Sequence, residues 1–210
     1  MKRYIPELTR KEISENHAVL LERALRYKEI GLDHFASRGL IIEKTGDPRG
    51  KILEIGTGRG ITALALARGG YSFLTIDNDA EMLRTAAMNL AFEGLLDKAE
   101  FYLMDASRLS FEAKSFQTVY MIDALHHMED VGEIFPGIDR VLSPGGKFVV
   151  ADLNGKGRQM IDDMHSSEGR AHPVSSMGEK DASAWLSGKG YSVTGFGTDT
   201  HWVLSAVKGG

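Results

Sequence analysis

The chain has 210 residues, 42% of them apolar, with a formal net charge of −4 and no cysteine. That length fits one domain, residues 1–210, with a full core. The missing thiols exclude disulfides, thiolate metal sites and cysteine nucleophiles, and an acidic balance without a long Lys/Arg block disfavours a nucleic-acid partner.

In chain order, the opening residues Met1-Lys2-Arg3-Tyr4-Ile5-Pro6-Glu7 lack the apolar core of a signal peptide, and no apolar run is long enough to span a bilayer. The expectation is a cytoplasmic chain. Thr9-Arg10-Lys11-Glu12 is a capping-box pattern, followed by Ile13, Val19, Leu20, Leu21, Leu25 and Ile30 at mostly helical spacing. A second helix is expected over residues 33–43, so that residues 1–48 form a helical cap. Residues 51–60, Lys-Ile-Leu-Glu-Ile-Gly-Thr-Gly-Arg-Gly, join an apolar strand to three alternating glycines and then to a helix over 61–68. Glycines suit such a turn because it often demands positive φ, and because a missing Cβ lets backbone N–H groups approach a ligand. The dinucleotide fingerprint G-x-G-x-x-G would need its third small residue at Ile61, whereas the third glycine falls at Gly60.

Seventeen residues past Gly60, a second apolar run closes on Asp77-Asn78, where nucleotide-binding α/β units place a ribose-binding carboxylate. Asp79 fits a helix cap better, with Glu81 in the first turn of a helix over 80–92 and Gly94 past its end. A third strand over 100–104 closes on Asp105-Ala106, for which a turn-forming Asx role is the alternative. A fourth run, 116–122, ends in Asp123-Ala124-Leu125-His126-His127-Met128. Ser143-Pro144-Gly145-Gly146 and the β-branched run after it read as a turn and a fifth strand. Residues 154–190 are the least regular stretch, with a helix expected over 176–187 and residues 155–175 either a lid or a solvated connection. Residues 191–208 read as a closing hairpin.

The run Glu54-x-Gly56-x-Gly58-x-Gly60, followed in order by Asp77, Asp105 and the Ala124-Leu125-His126-His127 segment, resembles the class I S-adenosylmethionine-dependent methyltransferases. The last segment is similar to the small-molecule branch that includes the ubiquinone and menaquinone methyltransferases. The resemblance implies an α/β, Rossmann-like, doubly wound sheet of seven mostly parallel strands in the order 3-2-1-4-5-7-6, strand 7 antiparallel, with N-terminal helices over the site and the cofactor-binding core at 49–210. It implies S-adenosylmethionine as cofactor, with Glu54, Gly56, Thr57, Gly58 and Gly60 at its methionine end, Asp77 and Asn78 at the ribose, and Met82, Asp105, Ala106 and Asp123 completing the site. Charge-assisted bonds from a carboxylate to the ribose hydroxyls are worth roughly 1.5–3 kcal/mol each. Met82 and Glu54 also have plain structural readings, as core packing and as a buried acid satisfied by backbone donors.

Methyl transfer from a sulfonium is an in-line displacement, for which orientation in a water-poor site supplies most of the acceleration. A base is needed only for a hydroxyl or a protonated amine; His126 and His127, after the fourth strand, are the candidates, of which one is expected to face the site. Tyr27, His34, Phe35 and Met160 are the candidate acceptor-lining residues, against ordinary core packing. The Asn/Asp-Pro-Pro-Tyr motif of relatives that methylate amino groups of adenine or glutamine is absent at 123–126. Asp123, Asp152 and Asn154 are oxygen ligands in principle, but their spacing differs from the adjacent Asp-Asn pair of metal-assisted relatives, so no metal is expected. The expected function is methyl transfer to O, N or C of a small molecule; the alternatives are a non-catalytic cofactor-binding regulatory or assembly module and a nicotinamide oxidoreductase.

Overall fold

The computed structural model describes residues 2–4, 6–128, 131–167 and 177–210. Its elements are β1 (Lys2–Tyr4), α1 (Arg10–Glu29), α2 (His34–Lys44), β2 (Ile52–Ile55), α3 (Ile61–Arg68), β3 (Phe73–Asp77), α4 (Ala80–Phe92), β4 (Ala99–Leu103), β5 (Phe116–Ile122), α5 (Val131–Val141), β6 (Leu142–Leu153), α6 (Gly155–Ser167), α7 (Glu179–Gly188), β7 (Ser192–Gly197) and β8 (His201–Val207). The eight strands form one sheet in the order β1-β4-β3-β2-β5-β6-β8-β7. Strands β4, β3, β2, β5 and β6 run parallel, and β8 lies antiparallel between β6 and β7.

Counted from β2, the expected 3-2-1-4-5-7-6 order is present, with one correction: an eighth strand, β1, pairs antiparallel with β4, Arg3 opposite Tyr102. Without β1, β4 would present an open edge of backbone donors and acceptors. Three residues with two adjacent cations carry no alternation, so β1 has no sequence signature.

The parallel strands are buried on both faces, which is why they read as continuous apolar runs; all four residues of β2 are buried. One layer holds Phe116, Phe135 and Phe148, with Trp185 of α7 at its margin; Phe135 meets Phe148 and Trp185 edge-on at centroid distances of 5.5 and 5.3 Å. The opposite layer packs Leu64 and Leu66 of α3 and Leu83 and Leu90 of α4 against Phe101 and Tyr120. Each such side chain contributes about 1.5–3 kcal/mol on burial.

The helix ends follow the capping rules. Thr9 and Glu12 close the capping box on α1, and Asp33 caps α2 through the Ala36 amide. Helix α7 begins at Glu179 rather than at 176, which lies outside the described residues, and Gly190 (φ +80°) follows its end. Of the stretch 155–175, residues 155–167 form α6 and 168–175 lie outside the described residues. The chain crosses from one face of the sheet to the other at β2, between β3 and β5, so a crevice opens at the carboxyl ends of these strands. No described helix is long and apolar enough to cross a membrane.

Candidate functional site

The glycine turn is built on the end of β2. The amides of Gly56 and Thr57 both donate to the Ile76 carbonyl of β3, at 3.0 and 3.1 Å, and the Gly60 amide donates to the Thr57 carbonyl at 2.8 Å. Gly56, Gly58 and Gly60 have φ of +81°, +50° and +82°, a region that L side chains seldom adopt. A Cβ on Gly56 would stand 2.4 Å from the Ala124 methyl, and one on Gly60 2.8 Å from that of Ala86; at Gly58 it would meet nothing within 4 Å. The first and third glycines therefore let β5 and α4 approach, whereas the second faces open space.

Beneath the turn, Thr75 Oγ1 donates to Glu54 Oε2 at 2.6 Å and accepts from Thr57 Oγ1 at 2.5 Å. Glu54 is 1% exposed, its Oε1 has no partner among the described residues, and burial pushes its carboxyl up to about 8, the Thr75 bond opposing. Asp77, at the end of β3, accepts from the Gly58 amide at 2.8 Å and the Asp79 amide at 3.0 Å, and burial raises its carboxyl despite those bonds. Asp79 caps α4 by accepting from the Glu81 and Met82 amides at 2.8 and 3.4 Å. Asp105 is exposed and accepts from the Ser107 amide at 2.9 Å, the chief cause of its lowered pKa.

A cavity of about 320 Å³ lies between this turn, helices α1 and α2, and the ends of β5 and β6. Of the sequence candidates, Gly56, Thr57, Gly58, Tyr27, His34, Phe35, Asp123, His126 and His127 line it. Asp77, Asn78, Met82, Asp105 and Ala106 stand outside that lining, at the β3 and β4 ends and the start of α4, as do Glu54, under the turn, and Gly60, at its end. Met160 packs instead with Tyr27, Leu32, Leu153 and Ile161, and it is Ile161 of α6 that reaches the cavity.

The cap-side wall is polar. Asp123 has φ +52°, which an aspartate tolerates better than most residues, and its carboxylate pairs with Arg38 of α2 and with His201 of β8 at 3.0 Å, the His34 ring standing 4.0 Å away. Burial alone would raise Asp123; Arg38 and His201 overcome it and hold the carboxyl well below the usual range. His34 is driven down to about 4, first by burial and then by the Arg38 charge, and is neutral near pH 7.

His126 is buried. Its amide donates to Asp152 Oδ2 at 2.9 Å and its Nδ1 lies 2.6 Å from Asp152 Oδ1, whereas His127 is exposed at the rim. Asp152, 1% exposed on β6, thus holds both the backbone amide and the ring of His126. Asp123 and Asp152 are engaged by these partners, and Asn154 bonds the Gly157 amide and the Thr198 and Asp199 carbonyls. Among the described residues no group of three or more His, Asp or Glu is placed to hold a metal. Arg23, Arg38 and His201 escaped the sequence reading, as did the pairing of Asp152 with His126. Arg23 and Tyr27 sit at the i, i+4 spacing that brings helical side chains together; the other three belong to pairs 26 or more residues apart, which no local pattern encodes.

Residues 53–150 match the family described as Methyltransferase domain. The chain is 33% identical over 115 residues to Methyltransferase GfsG of Streptomyces halstedii, covering 54% of this chain and 41% of that protein. It is 31% identical over 105 residues to the ubiquinone biosynthesis O-methyltransferase of Caulobacter sp. (strain K31), covering 50% and 41%. The chain thus spans less than half the length of these curated relatives. Among solved structures, the PH0226 protein of Pyrococcus horikoshii OT3 has the same fold, with a TM-score of 0.69 at 20% identity over 86% of this chain and 94% of that one.

Proposed function

We propose that this chain, which belongs to the class I S-adenosylmethionine-dependent methyltransferases, methylates an oxygen or a protonated amine of a small molecule, with His126 as general base. The observation that carries this reading is the pairing of His126 Nδ1 with buried Asp152 at 2.6 Å in the wall of the cavity. The residues fit the cofactor. The turn presents open space at Gly58, the unpartnered Glu54 Oε1 lies below it, and the Asp77 carboxylate stands at the end of the neighbouring strand. Gly56, Thr57 and Gly58 would hold the methionine end, with Asp77 at the ribose and Asp105 and Ala106 at the base. When bound, S-adenosylmethionine supplies an electrophilic methyl carbon on a sulfonium.

The chain's own part is orientation and one proton. Leu20, Ile61, Ile122 and Leu153 give the cavity an apolar lining against which an acceptor would be aligned. The Asp152 carboxylate assigns the proton to Nδ1 of His126 and makes Nε2 the basic nitrogen, the form that takes a proton from a hydroxyl as the new bond forms, or from an ammonium before its freed nitrogen attacks. A carbon acceptor needing no base would give this pair no role.

The test is release of S-adenosylhomocysteine from a panel of hydroxyl and amine metabolites, followed by kinetics on the best acceptor. His126→Gln is expected to lower kcat by about 10²–10⁴, more than His127→Gln does. Asp152→Asn acts through His126 and is expected to move the acidic limb of the pH–rate profile, which a purely structural defect would not. A His126→Gln kcat within threefold of wild type would exclude the base. Binding of S-adenosylhomocysteine without turnover on any acceptor would favour a non-catalytic module, and preference for NAD a nicotinamide enzyme.

A further inference from the structure

We propose that the acceptor bears an anionic group, a carboxylate or a phosphate, on an apolar body, and that Arg23 and Arg38 receive that group; the proposal rests on the methyltransferase reading. Arg23 and Arg38 line the cavity, where among the described residues the one carboxylate is Asp123, which Arg38 already engages. An adjoining cavity of about 120 Å³ shares Arg23, and its one acid among the described residues, Glu22, pairs with Arg26 at 2.5 Å. Arg23 is held without a carboxylate. Its Nη2 donates to the Tyr27 hydroxyl at 2.7 Å and its guanidinium lies 5.1 Å from the Tyr27 ring centroid; among the described residues no acid forms an ion pair with it. Arg38 is 4% exposed, and its Nε is a buried donor without a partner among the described residues. After burial, the largest cause, both guanidiniums also favour the neutral form of His34.

The cofactor does not relieve this imbalance. Its sulfonium and ammonium outnumber its one carboxylate, so loading adds positive charge to a wall already cationic. Buried or half-buried cations are costly unless paired, and an anionic acceptor is what pairs them. The rest of the lining, Leu20, Ala24, Ile61, Ile122, Leu153 and Ile161, calls for an apolar body behind the anion. A guanidinium meets carboxylate or phosphate oxygens with two parallel N–H donors, a geometry that neutral isosteres do not satisfy.

One other source of the anion is the cofactor's own carboxylate, and the experiment separates the two. The intact protein, saturated with S-adenosylhomocysteine, is titrated calorimetrically with benzoate, inorganic phosphate and benzyl alcohol. Benzoate is expected to bind at least about tenfold more tightly than benzyl alcohol. Arg23→Gln is expected to remove at least about tenfold of the benzoate affinity, Arg23→Lys to restore part of it, and S-adenosylhomocysteine affinity to stay within about twofold. Equal binding of benzoate and benzyl alcohol, or unchanged benzoate binding in a folded Arg23→Gln protein, overturns the proposal. So does a variant that loses S-adenosylhomocysteine but keeps 5′-methylthioadenosine, which lacks the amino-acid end; that result assigns Arg23 to the cofactor. Failure of wild type to bind S-adenosylhomocysteine would sink the methyltransferase reading instead. The anion series is therefore also run on unloaded protein, where benzoate selectivity lost in Arg23→Gln supports the anion site and its absence overturns it.

Discussion

The β2, β3 and β4 ends are organised by backbone amides and short carboxylates close together in the chain, whereas the cap-facing wall is organised by Arg38 of α2, paired with Asp123 after β5 and with His201 of β8. In the first region the Gly58 amide meets Asp77 nineteen residues on; in the second, Arg38 meets Asp123 across 85 residues and His201 across 163. The first region is a shape that the backbone imposes, so adding a methyl group perturbs it most. The second is a charge balance, so removing a charge perturbs it most.

The largest expected effect lies in the second region. Asp123→Ala leaves the Arg38 guanidinium buried against His201 with no carboxylate, and removing one partner of such a pair typically costs about 3–5 kcal/mol. Because the folded protein holds Asp123 well below the usual carboxylate range, its contribution is fully present above about pH 4, the value in the unfolded chain, and is lost as pH falls through the folded pKa. Urea denaturation of wild type and variant from pH 7 downward should show a gap that narrows only in acid. A gap independent of pH would mean that Asp123 acts by packing alone.

The glycines test the first region. Gly56→Ala combines a left-handed φ with a contact 2.4 Å from Ala124 Cβ, and the two penalties together amount to about 2–5 kcal/mol. Gly58→Ala carries the φ penalty of about 1–2 kcal/mol without a clash. Denaturation midpoints should separate the two substitutions in that order; equal losses would show that space at Gly56 does not decide its identity.

These contrasts explain what was legible in the sequence. Helices α3 and α4 fall where the periodicity and caps place them, and the order of β2 to β8 is the one that the family resemblance, carried by the glycine and aspartate landmarks, implies. Those signals are local or repeat along one chain segment. Strand β1 has no pattern and is positioned by the edge it covers. Asp123 reads as a cofactor residue by position after the fourth strand, yet its carboxylate is committed to Arg38 and His201, partners that no spacing rule links to it. The choice between adjacent His126 and His127 depends on Asp152, one strand over, and is decided by which ring the sheet buries.

The smallest effect makes the sharpest contrast within the first region, because two aspartates two residues apart do separate jobs. Asp79 accepts from the Glu81 and Met82 amides at the start of α4; replacing such a cap with alanine costs about 1 kcal/mol of stability. Its own amide, the donor to Asp77, survives the change, so S-adenosylmethionine affinity in Asp79→Ala should stay within about twofold of wild type. Asp77→Ala removes the acceptor of the Gly58 amide along with the proposed ribose ligand, and should weaken cofactor binding at least about tenfold while the protein remains folded. Calorimetry and thermal denaturation on the same two proteins give both quantities. If Asp79→Ala loses the affinity and Asp77→Ala keeps it, the carboxylate of this turn serves the helix rather than the ligand, and the ribose assignment falls.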